Sequence, residues 1–167
     1  LFRSYYMGGV DAWLMPKFNQ ETDVAENENY SYQTLATNMR GFHQNVRNGN
    51  SFFVLNTELR VPLFKYILRR PITSDFINNF QIVTFADFGT AWNGVTPFSK
   101  ANQLNYEVIE NGPVTITIDK QKTPFVGGFG FGVRSRLFGY FLRADWAWGV
   151  EDGYVLPSIL YISLGLD

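Results

Sequence analysis

The sequence predicts an all-β fold, a transmembrane antiparallel β-barrel to which these 167 residues contribute six strands. Three observations carry that prediction. First, segments of 9 to 13 residues alternate apolar side chains with polar ones or glycine, the period-two pattern of a strand whose two faces meet different surroundings. Such lengths suit a tilted membrane-crossing strand and exceed the roughly 5 to 6 residues of an ordinary soluble one. Second, sixteen Phe, nine Tyr and four Trp accompany a charged fraction of only 17%, so many rings need shelter. Third, no uncharged apolar run of about 18 residues occurs, which removes a transmembrane helix. It leaves a barrel open, because lumen-facing polar residues bring the mean hydropathy close to zero.

Composition narrows the function classes further. With no cysteine and one histidine, His43, neither a disulfide framework nor a thiolate or multi-histidine metal site is available. Fourteen basic residues stand against fifteen acidic ones, and Arg69-Arg70 is the one basic pair of note, so nucleic acid is not an expected partner. No nucleophile, oriented base or cofactor motif is seen; the glycine run from Gly127 to Gly132 lacks the following helix and lysine of a phosphate loop. The expectation is a protein that is not an enzyme and takes no cofactor. The opening Leu1-Phe2-Arg3 has neither an initiator methionine nor an apolar leader, and is read as lying inside a longer polypeptide.

The expected strands follow in order. Phe2 to Leu14 carries Tyr5, Tyr6 and Trp13 around Gly8-Gly9. Residues 16–50, rich in Asn, Gln, Glu and Thr, are too long and too polar for a hairpin turn and read as a large loop. Ser51 to Val61 places Phe53, Leu55, Thr57, Leu59 and Val61 on one face and Asn56, Glu58 and Arg60 on the other, until Pro62 ends it. Leu63 to Asn79 reads as a connection with a short helix or turn. Phe80 to Trp92 sets Ile82, Thr84, Ala86 and Phe88 against Val83, Phe85, Asp87 and Gly89. Residues 93–124 form a second, extracellular loop in which Asn111-Gly112 marks a small projecting hairpin. Phe125 to Leu137 alternates Phe129, Phe131, Val133, Ser135 and Leu137 with Gly128, Gly130, Gly132, Arg134 and Arg136. Past Phe138-Gly139, the strand of residues 140–150 opposes Tyr140, Leu142, Ala144, Trp146 and Trp148 to Arg143, Asp145, Ala147 and Gly149. Ser158 to Leu166 then sets Leu160, Ile162 and Leu164 against Tyr161, Ser163 and Gly165. Leu55, Leu59, Phe88, Phe131, Leu142 and Ile162 share the apolar phase and are expected to face lipid, with Trp92, Trp146, Trp148 and Tyr140 in an interfacial girdle. Six strands are too few to close a membrane barrel of about eight or more, so others are expected before Leu1.

Three motifs in order carry a resemblance: Met39-Arg40-Gly41-Phe42, then Leu55-Asn56-Thr57-Glu58-Leu59-Arg60-Val61-Pro62, then Phe85-Ala86-Asp87-Phe88-Gly89-Thr90-Ala91-Trp92. Together with Gly128 to Gly132, Arg143 to Gly149 and Ser163-Leu164-Gly165, the chain resembles the closing strands of sixteen-stranded barrels of the Omp85 superfamily, the bacterial surface antigens. The long insertion between Gly9 and Arg40 is similar to versions from Bacteroidota. The resemblance implies a multi-pass bacterial outer-membrane protein that inserts or translocates other proteins. Its implied partners are outer-membrane lipids and lipopolysaccharide, client outer-membrane or secreted proteins, and accessory lipoproteins. It also implies a loop that folds back into the lumen, where Arg40 meets acids on two strands.

Residue chemistry reaches a compatible arrangement. Glu58 and Asp87 on neighbouring polar faces need a counter-ion, and the planar fork of Arg40 suits a carboxylate. Gly41 lets the loop approach the wall, and Phe42 can pack in the space left by Gly128, Gly130 and Gly132. Plainer readings stand beside this one: a solvated Arg40, an Asp87 that caps a turn, a Glu58 that pairs with Arg60, and His43 as a loop contact. Two other whole-chain readings are a barrel that only anchors a soluble domain and a soluble aromatic-rich β-sandwich.

Overall fold

Alternating patterns of this length leave little choice but a sheet, and the protein is all-β. The structure, a computed structural model, describes residues 4–9, 33–68, 73–99, 102, 106–120 and 122–166. In chain order the elements are β1 (Ser4–Gly8), β2 (Gln33–Asn38), β3 (Arg47–Gly49), β4 (Ser51–Val61), α1 (Leu63–Ile67), α2 (Asp75–Asn78), β5 (Gln81–Trp92), β6 (Tyr106–Asn111), β7 (Val114–Asp119), β8 (Val126–Leu137), β9 (Tyr140–Glu151), β10 (Tyr154–Val155) and β11 (Ile159–Leu166).

The principal sheet runs β4-β5-β8-β9 with every neighbour antiparallel, and β9 then pairs with both β10 and β11. Its register sorts the side chains into two faces. Across one face lie rows such as Leu59, Thr84, Phe131, Trp146 and Leu160; across the other lie Asn56, Asp87, Gly128 and Gly149. The first face is bare: Leu59 is 65% exposed, Phe131 51% and Leu160 50%. Leu55 and Phe88 are exposed with them, while Leu142 and Ile162 are half-buried. The second face is covered, with Val83, Phe85, Asp87, Gly128, Asp145, Ala147 and Gly149 all buried.

The cover is a three-stranded sheet of order β2-β1-β3, in which β1 is parallel to β2 and antiparallel to β3. Here the structure corrects the sequence reading. Ser4–Gly8, the described part of the segment expected as a first barrel strand at Phe2 to Leu14, does not join the edge of the principal sheet beside β4. Met7, Gly8 and Gly9 are buried against it instead, with Met39, Val46, Ala91 and Val126 in the same cluster. The principal sheet therefore has five long strands where six were expected. The physical reason is that a five-residue strand with buried residues on its covered end has no polar-apolar alternation to share between lipid and lumen. Residues 2–3 and 10–14 of that expected strand, and residues 16–32 of the expected loop, lie outside the described residues.

Elsewhere the connections are short or local. β6 and β7 form the hairpin marked by Asn111-Gly112 and, among the described residues, pair only with each other. The two short helices sit between β4 and β5, at the same end of the sheet as the two-residue turn Phe138-Gly139. Between Val155 and Ile159 the register on β9 steps by one residue, a bulge that includes Pro157, which has no N–H to donate.

Candidate functional site: an arginine lock on the covered face

Cross-strand register decides what lies at the centre of the covered face. Asp87 stands opposite Asn56 on one side and Gly128 on the other, and Gly128 stands opposite Gly149. Two adjacent glycines thus make a shallow floor beside a carboxylate. Into it comes the turn that follows β2. Its backbone is fixed by the first short strand, since Met39 N–H donates to the Gly8 carbonyl (3.0 Å), Gly9 N–H to that of Phe42 (3.1 Å), and Val46 N–H to that of Met7 (2.8 Å). Asn56 Nδ2 adds a bond to the Asn38 carbonyl (3.1 Å).

Arg40 is buried there and engages both acids. Its Nε donates to Asp87 Oδ2 (2.7 Å) and its Nη2 to Asp87 Oδ1 (2.6 Å), a bidentate fork, while its backbone N–H reaches the same Oδ2 (3.1 Å). Its Nη1 donates to Glu58 Oε1. The guanidinium carbon lies 3.7 Å from the centroid of the Phe85 ring, so the cation also rests on an aromatic face. Burial alone would lower the affinity of Arg40 for its proton, but the bonds and charges of Asp87 and Glu58 outweigh it and hold the guanidinium above its ordinary value. The Asp87 side chain is 0% exposed, so this is a desolvated pair in which neither partner is easily replaced by water.

The two residues after Arg40 are held by shape. Gly41 has φ +92°, and a Cβ there would come within 2.5 Å of the Trp148 backbone. A Cβ on Gly128 would collide with the Arg40 carbonyl, and one on Gly149 would lie 2.5 Å from the Gly41 carbonyl and 2.7 Å from the Phe42 ring. The glycines of β8 are divided between tasks, which corrects the expectation that all three seat Phe42. Gly128 admits the Arg40 backbone, Gly130 leaves room for the Phe85 ring, and Gly132 leaves room for the Asp145 carboxylate. Phe42 packs chiefly on Gly149 of β9, and of the three β8 glycines only Gly128 lies beside its ring.

Several participants were not singled out from the sequence. Tyr161 on β11 clamps the tripeptide from the far side: its hydroxyl accepts from Gly41 N–H (3.1 Å) and donates to the Phe42 carbonyl (2.7 Å). Phe85 and Gly149 are the second and third. A second ion cluster continues from the lock, for Glu58 also takes Arg60 through Nε and Nη2 (2.9 and 2.7 Å) and has Arg134 Nη2 at 3.7 Å. Arg134 forks onto the fully buried Asp145, with 3.0 Å for the Nη2 bond, and Arg143 Nε donates to the same carboxylate (2.7 Å). Glu58 therefore serves both Arg40 and Arg60. The phase of Arg134 and Asp145, carried through the tight Phe138-Gly139 turn, is the signal that would have located this pair.

A separate buried arginine, Arg47, ties β3 to the end of β9 and to the segment that precedes β8. It donates to Glu151 (2.7 Å) and to the carbonyls of Val46, Thr123 and Pro124. His43 is exposed. Among the described residues, no group of three His, Cys, Asp or Glu side chains is placed to hold a metal ion. No described helix is long and apolar enough to cross a membrane, a fact that says nothing about strands.

Comparison with protein-family models, curated proteins and solved structures returned no match.

Proposed function

We propose that this chain is the closing part of an outer-membrane β-barrel of the Omp85 type, which inserts or translocates other proteins at the bacterial outer membrane. One observation carries the reading: a single sheet has a bare apolar face and, on its reverse, a buried arginine lock. Contiguous exposed apolar surface of this extent is foreign to soluble monomers and suits lipid. The covered face, with its ion pairs and folded-in loop, suits a lumen. The chemistry at Arg40 is positional; it fixes a loop against the wall and has no group poised to react with a substrate.

In this reading the lock holds the folded-in segment in the working conformation while clients pass or pair at the barrel. Arg40→Ala and Asp87→Ala in the full-length protein are each expected to reduce client assembly or secretion while the barrel itself remains in the outer-membrane fraction. The double substitution is expected to be scarcely worse than either single one, because both remove the same contact. Additive defects, or wild-type activity after Arg40→Ala, would refute it. Failure of the protein to fractionate with the outer membrane would refute the membrane assignment itself.

A further inference from the structure

The end of the sheet away from the β6–β7 hairpin has a feature that the lock does not use. There the connection from β4 to β5 carries Tyr66, 77% exposed, with Ile67 and Leu68 also exposed, on and just after α1. Phe138 at the tip of the β8–β9 turn is 91% exposed, and Tyr140 beside it is exposed too. Beneath these, Phe64 and Phe76 pack on Phe80 with centroid separations of 5.3 and 6.1 Å, and Ser135 Oγ donates to the Phe76 carbonyl (2.8 Å). The connection is thus braced against the sheet while its large apolar side chains point outward.

We propose that this connection, with the adjoining β8–β9 turn, is a foot that seats in the interfacial layer of an anionic phospholipid leaflet. The inference rests on the membrane reading above and names the lipid chemistry at one rim of the barrel. Two features select that occupant. The foot is continuous with the bare apolar face through Leu59, Val61 and Leu137, so the same bilayer that covers the face reaches it. Among the described residues, the exposed charges at this end are basic at Lys65 and Arg136 and acidic at Asp75, Arg60 being held by Glu58, and the balance favours a negative surface. Tyrosine and phenylalanine with flanking cations form the usual amphipathic combination at the level of headgroups. Each basic residue close to an anionic membrane contributes roughly a fivefold change in partitioning.

The test uses the full-length protein reconstituted in vesicles of phosphatidylcholine alone or with phosphatidylglycerol. The 167 residues contain no cysteine, so Tyr66→Cys and Leu160→Cys each give one label position within this region for an environment-sensitive fluorophore. Lipids carrying a quencher near the headgroup or deep in the acyl chain then report depth. The expected result is deep quenching at position 160 and shallow quenching at position 66. The shallow signal should strengthen with phosphatidylglycerol, and Lys65→Glu, alone or with Arg136→Glu, should remove that increment. Quenching at 160 with a water-exposed label at 66 would overturn the foot and leave the membrane reading standing, as a soluble protein occupant would require. Equal quenching at 66 in both lipids would overturn the anionic selectivity. Labels exposed to water at both positions would overturn the membrane reading.

Discussion

Replacing Tyr161 with phenylalanine removes one oxygen atom from the lock, and the structure sets the size of the effect. The hydroxyl makes two bonds, one from Gly41 N–H and one to the Phe42 carbonyl. The carbonyl keeps a second donor, Gly9 N–H at 3.1 Å, so it is not orphaned. Gly41 N–H loses its partner in a site so tight that a Cβ on Gly9 would lie 2.5 Å from the hydroxyl. The space left by one oxygen is too confined for a water molecule with the partners it needs. The loss is therefore that of a buried unsatisfied donor, about 1 to 3 kcal/mol, or roughly fivefold to 150-fold in the equilibrium for opening the loop. Arg40→Ala strands the fully buried Asp87 carboxylate with a single backbone donor and is expected to cost more, about 3 to 5 kcal/mol. Hydrogen exchange of the Gly41 and Phe42 amides in the reconstituted full-length protein measures both. The order expected is wild type, then Tyr161→Phe, then Arg40→Ala. Unchanged exchange in Tyr161→Phe, or a larger effect there than in Arg40→Ala, would refute the reasoning.

Two further outcomes follow from the same geometry. Arg40→Lys keeps the charge but cannot reproduce the fork onto Asp87 together with the bond to Glu58, so loop protection should fall between wild type and Arg40→Ala, and a lysine equal to arginine would show that charge alone suffices. Gly149→Ala should release the loop as strongly as loss of the arginine, because the added carbon meets the Gly41 carbonyl and the Phe42 ring; amide exchange confined to residues 39–46, with β8 and β9 still protected, is the expected pattern, and an unaffected loop would contradict it.

Period-two alternation was enough to sort β4, β5, β8, β9 and β11 into faces, because each has one apolar and one polar or glycine phase. It also put Glu58 and Asp87 on neighbouring polar faces, whereas the expectation that Arg40 meets them came from the resemblance and from their need of a counter-ion. The residues that escaped are those whose role depends on diagonal neighbours. Phe85 reads as one more aromatic until register places it beside Asp87 and beneath the guanidinium. Tyr161 reads as one interior residue of the last strand until the fold brings a loop to it from 120 positions away. β1 was assigned to the wrong sheet because its aromatic residues matched the composition of a membrane strand, whereas its partners, β2 and β3, lay in a segment read as loop. Parallel pairing of β1 with β2 leaves no turn motif in the sequence to announce it.

The extra residue near Pro157 governs more than the local path of the chain. With the register that β10 holds on β9 continued without a step, Tyr161 would fall opposite Ala144 and turn to the bare face, carrying Leu160, Ile162 and Leu164 inward. The bulge puts Tyr161 opposite Asp145 instead, and only there can its hydroxyl reach Gly41 and Phe42. A last strand docked one residue out of place cannot complete the clamp. The seated tripeptide is in that sense a proofreading contact, satisfied only after the final strand has found its correct alignment.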